Sequence, residues 1–323
     1  MTCVIGIDIA KHTFDIAKPL ERDKYRTKAK VANTPEGFKQ FDQWLEKHAE
    51  PHCWVLMEAT SVYHEALATH LHQRGYQVCV INPARIAKYA QSELRRVKTD
   101  KTDAKLIARY AQRHLEELRP WEPEPESIRQ LRGLVRRLAD LKELAQMERN
   151  RLDVSAESAQ ASIRIHLEHL DGQIALISKA INDHIDNDPG LREQKQLMKS
   201  IDGVSDGTSA LLLAELGNPL RFDSARQMVA FCGLNPRLQE SGRYKGKTII
   251  SRTGSGRLRA ALYMPALSAM TYNPVIKAMK VRLAERGKTG RLVVCAAMRK
   301  LLHIIYGVLK SGQPFDPIRA LAH

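Results

Sequence analysis

Residues 3–10, 53–57 and 78–81 of the 323-residue sequence are apolar runs of four to eight residues, too short for buried helices and of the length of buried strands. Between the first two, Phe14 to Ala17 reads as a hairpin partner and Tyr25 to Val31 as a third strand. Asn33-Thr34-Pro35-Glu36 then supplies a cap and an N1 proline for an amphipathic helix through Phe38, Phe41, Trp44 and Leu45. A helix from about Val62 to Arg74, stopped by Gly75, separates the second and third runs. Strands followed by alternating helices and strands predict an α/β domain, in which functional residues gather at strand ends and the loops that follow them.

Beyond Asn82-Pro83 the pattern changes. Arg85 to Arg119 is helical in character and rich in basic residues, and Pro120, Pro123 and Pro125 mark a boundary. Ile128, Leu131, Val135, Leu138, Leu141 and Ala145, then Ile163, Leu167, Leu170, Ile174, Ile177 and Ile181, repeat at three-four spacing, which predicts a long helical hairpin of coiled-coil type. From Leu197 a compact helical run begins, with turn glycines at 203 and 207. Segment 233–258 carries glycines at 233, 242, 246, 254 and 256 among basic residues and reads as an exposed loop. Two apolar helices, near Leu258 to Met270 and Leu292 to Leu309, follow. The expected division is residues 1–122, 123–194 and 195–323.

The chain holds 51 Lys+Arg against 36 Asp+Glu, a formal charge of +15, which draws it to polyanions. From Arg221 to Lys310 there are 18 lysines and arginines against three acids, an excess equal to that of the whole chain. Such a confined basic footprint points to nucleic-acid phosphates as partners of the C-terminal part. No unbroken apolar run reaches the roughly 18 residues of a membrane span, and the start lacks the basic region and cleavage site of a signal peptide. A cytoplasmic bacterial location, on the nucleoid when DNA is bound, is the expectation. Cys3, Cys53, Cys79, Cys232 and Cys295 show no CxxC spacing and are expected as buried reduced thiols.

Four acids stand out by position. Asp8 lies inside an apolar strand, Glu58 directly follows one, and Asp100 and Asp103 are spaced to share a helix face. A carboxylate among buried apolar residues is costly unless neutralised, and two like charges three residues apart repel unless a cation lies between them. A hard divalent ion takes oxygen ligands, and two such ions bridging a phosphate stabilise both the attacking and the leaving oxygen. The competing account has Asp8 held by backbone amides, Glu58 capping the next helix, and Asp100 and Asp103 paired with Lys98, Lys101 and Lys105.

Gly6-Ile7-Asp8-Ile9-Ala10-Lys11, Met57-Glu58-Ala59-Thr60 and Lys98-Thr99-Asp100-Lys101-Thr102-Asp103-Ala104-Lys105 resemble, in order, the carboxylate blocks of insertion-sequence transposases with an N-terminal RuvC-like DEDD domain. The resemblance implies a ribonuclease-H-like fold for this domain. It also implies that Asp8, Glu58, Asp100 and Asp103 are catalytic and hold Mg2+, with Mn2+ as a substitute. Ile201-Asp202-Gly203-Val204, Ala214-Glu215-Leu216-Gly217, Arg221-Phe222 and Ala230-Phe231-Cys232-Gly233-Leu234-Asn235-Pro236 resemble the mainly α C-terminal transposase domain of the same family, which opens like a helix-hairpin-helix. Ser205 stands where that hairpin usually repeats a glycine, so a phosphate-binding turn and a packing turn are both open.

Three serines, Ser241, Ser251 and Ser255, lie in the glycine-rich basic segment, and chemistry alone does not choose among them. The family pattern selects Ser241, of the Ser-Gly step, as the nucleophile. Arg243, Lys245, Lys247, Arg252, Arg257 and Arg259 are the candidate nucleic-acid contacts around it. A phosphoserine link would keep the phosphodiester energy while strands are exchanged, and the absence of a Gly-Lys-Ser/Thr phosphate loop fits that economy. By resemblance the partners are donor and target DNA, a structured bridge RNA encoded by the element, and further copies of the chain, a dimer or a tetramer on DNA. Two alternatives compete: a RuvC-like metal-dependent nuclease using the acids alone, and a basic nucleic-acid-binding protein without activity.

Overall fold

The three apolar runs become neighbouring strands of one sheet because each is apolar on both faces and so needs cover on both. The computed structural model describes residues 2–22, 24–60, 62–93, 100–237, 240–241, 244–245, 249–251 and 253–318, with residues 100, 101, 240, 241, 244 and 245 described by their backbone alone. The chain divides into two compact units, Met1–Pro123 and Glu124–His323.

In the first unit β1 (Val4–Ile9), β2 (Thr13–Pro19) and β3 (Tyr25–Ala32) form an antiparallel meander, followed by α1 (Pro35–His48), β4 (Trp54–Glu58), α2 (Glu65–Gln73), β5 (Gln77–Ile81), α3 (Pro83–Ser92) and α4 (Asp100–Arg113). The sheet order is β3-β2-β1-β4-β5, with β4 parallel to β1 and β5 parallel to β4. Alternation sorts the side chains: Ile5, Ile7, Val55 and Met57 pack with Phe14, Phe38, Phe41, Leu45, Leu67 and Leu71 beneath α1 and α2. Val4, Leu56, Cys79 and Ile81 pack on the other face with Ile86 of α3 and Leu106, Ile107, Tyr110 and Ala111 of α4. The expected α/β domain is therefore present as a mixed five-stranded sheet between helices.

Two expectations change here. The helix expected from about Val62 starts at Glu65, because turns precede it in which Tyr63 N donates to Thr60 O and Glu65 N to Val62 O. Cys3 and Cys53, expected as reduced thiols, are joined as a disulfide with Cα atoms 4.7 Å apart. They stand one residue before Val4 and Trp54, which are partners in the β1–β4 register. The pairing follows from strand order, which spacing in sequence does not reveal; Cys79 and Cys232 are free and buried as expected.

The second unit begins with the hairpin α5 (Glu126–Leu152) and α6 (Glu157–Asn187), then α7 (Pro189–Lys199), α8 (Asp206–Leu216) and α9 (Ala225–Phe231). Ile128, Leu131, Val135, Ile181 and Ile185, at the base of the hairpin, share one core with the later helices, while Leu141, Ala145 and Leu170 form a small cluster further along it. Among its described residues segment 233–258, expected as a loop, has four two-residue strands: β6 (Pro236–Arg237) paired with β9 (Ile249–Ile250), and β7 (Glu240–Ser241) paired with β8 (Tyr244–Lys245).

Three helices rather than two then follow: α10 (Gly256–Tyr272), α11 (Pro274–Glu285) and α12 (Arg291–Ser311). The unexpected one, α11, fully buries only Val275 and Ile276, and Lys277, Lys280 and Arg282 break up the apolar residues that follow, so it carries little apolar periodicity. Among the described residues α12 is long and apolar enough to cross a membrane. Arg299 and Lys300 interrupt it, and Val294, Ala297, Met298, Leu301, Leu302 and Ile305 are packed in the unit's core. Gly203, at φ +97°, fits its turn against α10: a β-carbon there would lie 2.8 Å from Ala269 N. Ser205 caps α8 by accepting from Thr208 N at 3.3 Å.

Candidate active site

Asp8 is the fifth residue of β1 and Glu58 the last of β4. The parallel register runs Val4↔Trp54 to Ile7↔Met57, so its next step sets Asp8 level with Glu58 on strands about 4.8 Å apart. Gly6 and Leu56 share their face, the one covered by α4. Helix α4 comes unusually close to the sheet there. A β-carbon on Gly6 would lie 2.3 Å from Ala108 N and 2.4 Å from Ala104 O, and Ala17, the antiparallel partner of Gly6, packs with Ala104 and Ala108.

The direction of α4 follows from its contacts. Its later residues Ile107, Tyr110 and Ala111, with Leu118 beyond, cluster with Val4, and Arg109 Nε donates at 3.1 Å to Oη of Tyr25, which lies two strands from β1 at the end of the sheet where β1 starts. Its first turn therefore lies toward the end of β1 that carries Asp8. Asp103 falls one turn before Ile107 and two before Ala111, on the row that packs over Leu56. Three predicted acids, Asp8, Glu58 and Asp103, all half-buried, are thus brought to one face and one end of the sheet. Each makes interactions within the protein. Asp100 opens α4, and its side chain lies outside the described residues.

Carboxylate oxygens on adjacent strand ends are the donors that a hard divalent ion takes. Among the described residues no group of three or more acids, histidines or cysteines is close enough to ligate one ion. The chemistry of Asp8 and Glu58, two carboxylates on adjacent parallel strands, suits such an ion.

Two neighbours carry no signal in the sequence. Asp15 pairs across β2 directly with Asp8 and is 8% exposed, and its Oδ1 accepts from Lys30 N at 2.5 Å. Lys30 has φ +55° at an irregularity in the β2–β3 register, so Asp15 secures a bulge beside the site. Asn33, expected as part of a helix cap, leaves capping to Thr34, which accepts from Gly37 N, and reaches the loops beyond Asp8 and Glu58. A bulge carboxylate and a loop amide are recognisable only once the strands are paired.

In the second unit Ser241 stands in β7 opposite Tyr244 of β8, and Lys245 in β8 opposite Glu240. The side chains of Ser241 and Lys245, and Arg243, Lys247 and Arg252 entirely, lie outside the described residues. Of the other serines, Ser255 caps α10 by accepting from Leu258 N at 3.3 Å, and Ser251 N donates to Asn235 O.

Several C-terminal cations have partners inside the protein. Arg259 Nη1 donates to Cys232 O at 3.1 Å and Gly254 O at 3.2 Å, holding the two glycine turns at 233 and 254 together. Arg257, 60% exposed, stands 3.8 Å from Glu215, whose carboxylate also takes Arg136 Nε at 3.0 Å. Arg221 lies 5.0 and 5.2 Å from the Phe222 and Phe231 ring centres, and burial lowers its basicity against the pull of Glu124. Burial likewise pushes the Cys232 thiol up to about 12, which leaves it inert at neutral pH.

A sheet domain with two acids toward the ends of parallel strands, followed by a basic helical unit, is an arrangement suited to metal-assisted chemistry on a polyanion. Residues 5–165 match the IS110-type DEDD model described as "Transposase", and residues 195–280 the one described as "Transposase IS116/IS110/IS902 family". The pilin gene-inverting proteins of Moraxella bovis and Moraxella lacunata are each 31% identical over 97% of this chain and 97% of their own. An uncharacterized 43.6 kDa protein of insertion element IS110 from Streptomyces coelicolor is 26% identical over 37% of this chain and 30% of its own. The chain belongs to the IS110 family of transposases, and it is a transposase or site-specific recombinase that acts on DNA and uses divalent metal.

Proposed function

We propose that this transposase breaks and reseals DNA strands with Asp8, Glu58, Asp100 and Asp103 as holders of Mg2+ and Ser241 as the nucleophile. The observation that carries the reading is the side-by-side placement of Asp8 and Glu58 beneath the helix that bears Asp103. The first unit then has a ribonuclease-H-like fold, whose sheet order and mixed strand directions suit it. Bound Mg2+ supplies charge neutralisation at the scissile phosphate and at the departing oxygen.

In the forward step the Ser241 hydroxyl loses its proton as its oxygen bonds to phosphorus, and one phosphorus–oxygen bond to deoxyribose breaks, releasing a DNA hydroxyl. The reverse step on a new partner hydroxyl reseals the strand, so the number of phosphodiester bonds is conserved. Arg243, Lys245, Lys247, Arg252 and Arg257 face backbone phosphates in this reading, and Arg259 acts through the turns it holds. Residues 123–194 form an oligomerising coiled-coil hairpin between functional parts at 1–122 and 195–323. The acids of one subunit serve the serine of another in a dimer, or in a tetramer on DNA, guided by an element-encoded bridge RNA.

The relatives named for pilin gene inversion support a wider substrate layout: the same exchange inverts a segment when its two sites lie in opposite orientation on one molecule. The decisive experiment compares Asp8→Ala and Ser241→Ala on supercoiled donor and target DNA. Ser241→Ala is expected to abolish both strand exchange and any protein–DNA adduct that resists denaturant. Exchange that survives Ser241→Ala but not Asp8→Ala would leave the acids as the whole active site. RNA co-purifying with the wild-type protein and required for exchange tests the guide.

A further inference from the structure

Asn33 makes three bonds to two loops that begin at the acid-bearing strands. Its backbone N donates to His12 O at 2.9 Å, and its Nδ2 donates to Ala10 O at 3.2 Å and Tyr63 O at 3.0 Å. Ala10 follows Asp8 by two residues, at the tip of the β1–β2 hairpin, which Ala10 N closes onto Thr13 O. Tyr63 lies in the turns between Glu58 and α2. One amide group therefore spans the gap between the backbone leaving Asp8 and the backbone leaving Glu58.

The side chain is not an interchangeable surface residue. Its Oδ1 is buried without a hydrogen-bond partner among the described residues, a cost that a side chain kept only for packing would not carry. Both donor hydrogens are used on carbonyls of separate segments, which neither Asp, lacking donors, nor an aliphatic residue can reproduce.

We infer that Asn33 is a positioning residue for the metal-holding acids: it ties together the two loops that leave the strands carrying Asp8 and Glu58, and so fixes the backbone on which those acids are set. The inference rests on the metal reading of those acids given above. Groups hydrogen-bonded directly to metal ligands change metal affinity by about 10- to 100-fold when removed, and Asn33, which acts through the backbone beyond the acids, belongs at or below the low end of that range.

The test measures Mn2+ binding to the full-length protein without DNA, by the loss of the free-ion paramagnetic resonance signal, alongside thermal unfolding without metal. Asn33→Leu keeps the volume and removes both donors, and Asn33→Ser keeps one hydroxyl donor. Thr34→Ala loosens the start of α1 without touching either loop. Folded Asn33→Leu is expected to bind Mn2+ about tenfold more weakly, Asn33→Ser less so, and Thr34→Ala like wild type, even where all three lower the melting temperature. The Mg2+ needed for half-maximal strand exchange should rise in the same order, while the rate at saturating Mg2+ recovers. Wild-type Mn2+ affinity in folded Asn33→Leu or Asn33→Ser, or equal weakening by Thr34→Ala, overturns the positioning role alone. Should wild type bind no more Mn2+ than Asp8→Ala, the metal reading falls and takes this inference with it.

Discussion

Gly6 shows how a single atom decides the site. Its hydrogen leaves room for the backbone of α4, and Gly6→Ala would push the helix outward, carrying Asp103 away from Asp8 and Glu58. Overpacking of this kind costs about 1–3 kcal/mol. The expected result is a lower urea midpoint together with strand exchange far below wild type. Cys232 gives a residue-scale test of pH. Its thiol is raised from 9.0 to about 12 by burial, so the folded state keeps a proton that the unfolded state releases. The stabilisation it contributes is therefore whole below pH 9 and falls as pH rises from 9 toward 12, by roughly 1.4 kcal/mol per unit at most. Cys232→Ala should flatten that part of a stability-against-pH curve, and iodoacetamide at pH 8 should leave Cys232 of the native protein unmodified.

At the scale of elements, helix starts are secured with unequal burial. Asn273 has no exposed surface and its Oδ1 accepts from Val275 N and Ile276 N at the start of α11, whereas Ser255 caps α10 at a more open position. Removing a cap costs about 0.5–2 kcal/mol, at the high end where the orphaned amides are buried. Asn273→Ala should accordingly lower the denaturation midpoint more than Ser255→Ala. The same pair explains what was legible. Pro274 after Asn273 is a capped helix start, yet α11 carries a weak signal because Val275 and Ile276 alone are fully buried, with Met279 packed at the core's edge. The strands of the first unit were legible because each is an unbroken apolar run. The two-residue strands of segment 236–250 were not, since a ladder that short leaves no periodicity.

For the whole molecule, the division of labour makes two predictions. If acids and serine of different subunits act together, mixing Asp8→Ala with Ser241→Ala, each inactive alone, should restore part of the strand exchange. The restored fraction should depend on the mixing ratio. The basic excess between Arg221 and Lys310 should make DNA affinity steeply salt-dependent, falling by about 10³- to 10⁵-fold from 50 to 200 mM salt if 6–10 phosphates are neutralised, as read in a filter-binding titration. Cations such as Arg259 and Arg221, already engaged inside the protein, should contribute little to that slope. The order of apolar runs and the acids placed in them determined an α/β domain with Asp8 and Glu58 at strand ends, because local period and burial are written in consecutive residues. Pairing decided the rest: that Glu58 stands beside Asp8, that α4 closes onto Gly6, that Cys3 meets Cys53, and that Asn33 ties two loops together. Those contacts join residues tens of positions apart, and their energies exist only once strand order and register have brought the backbones together.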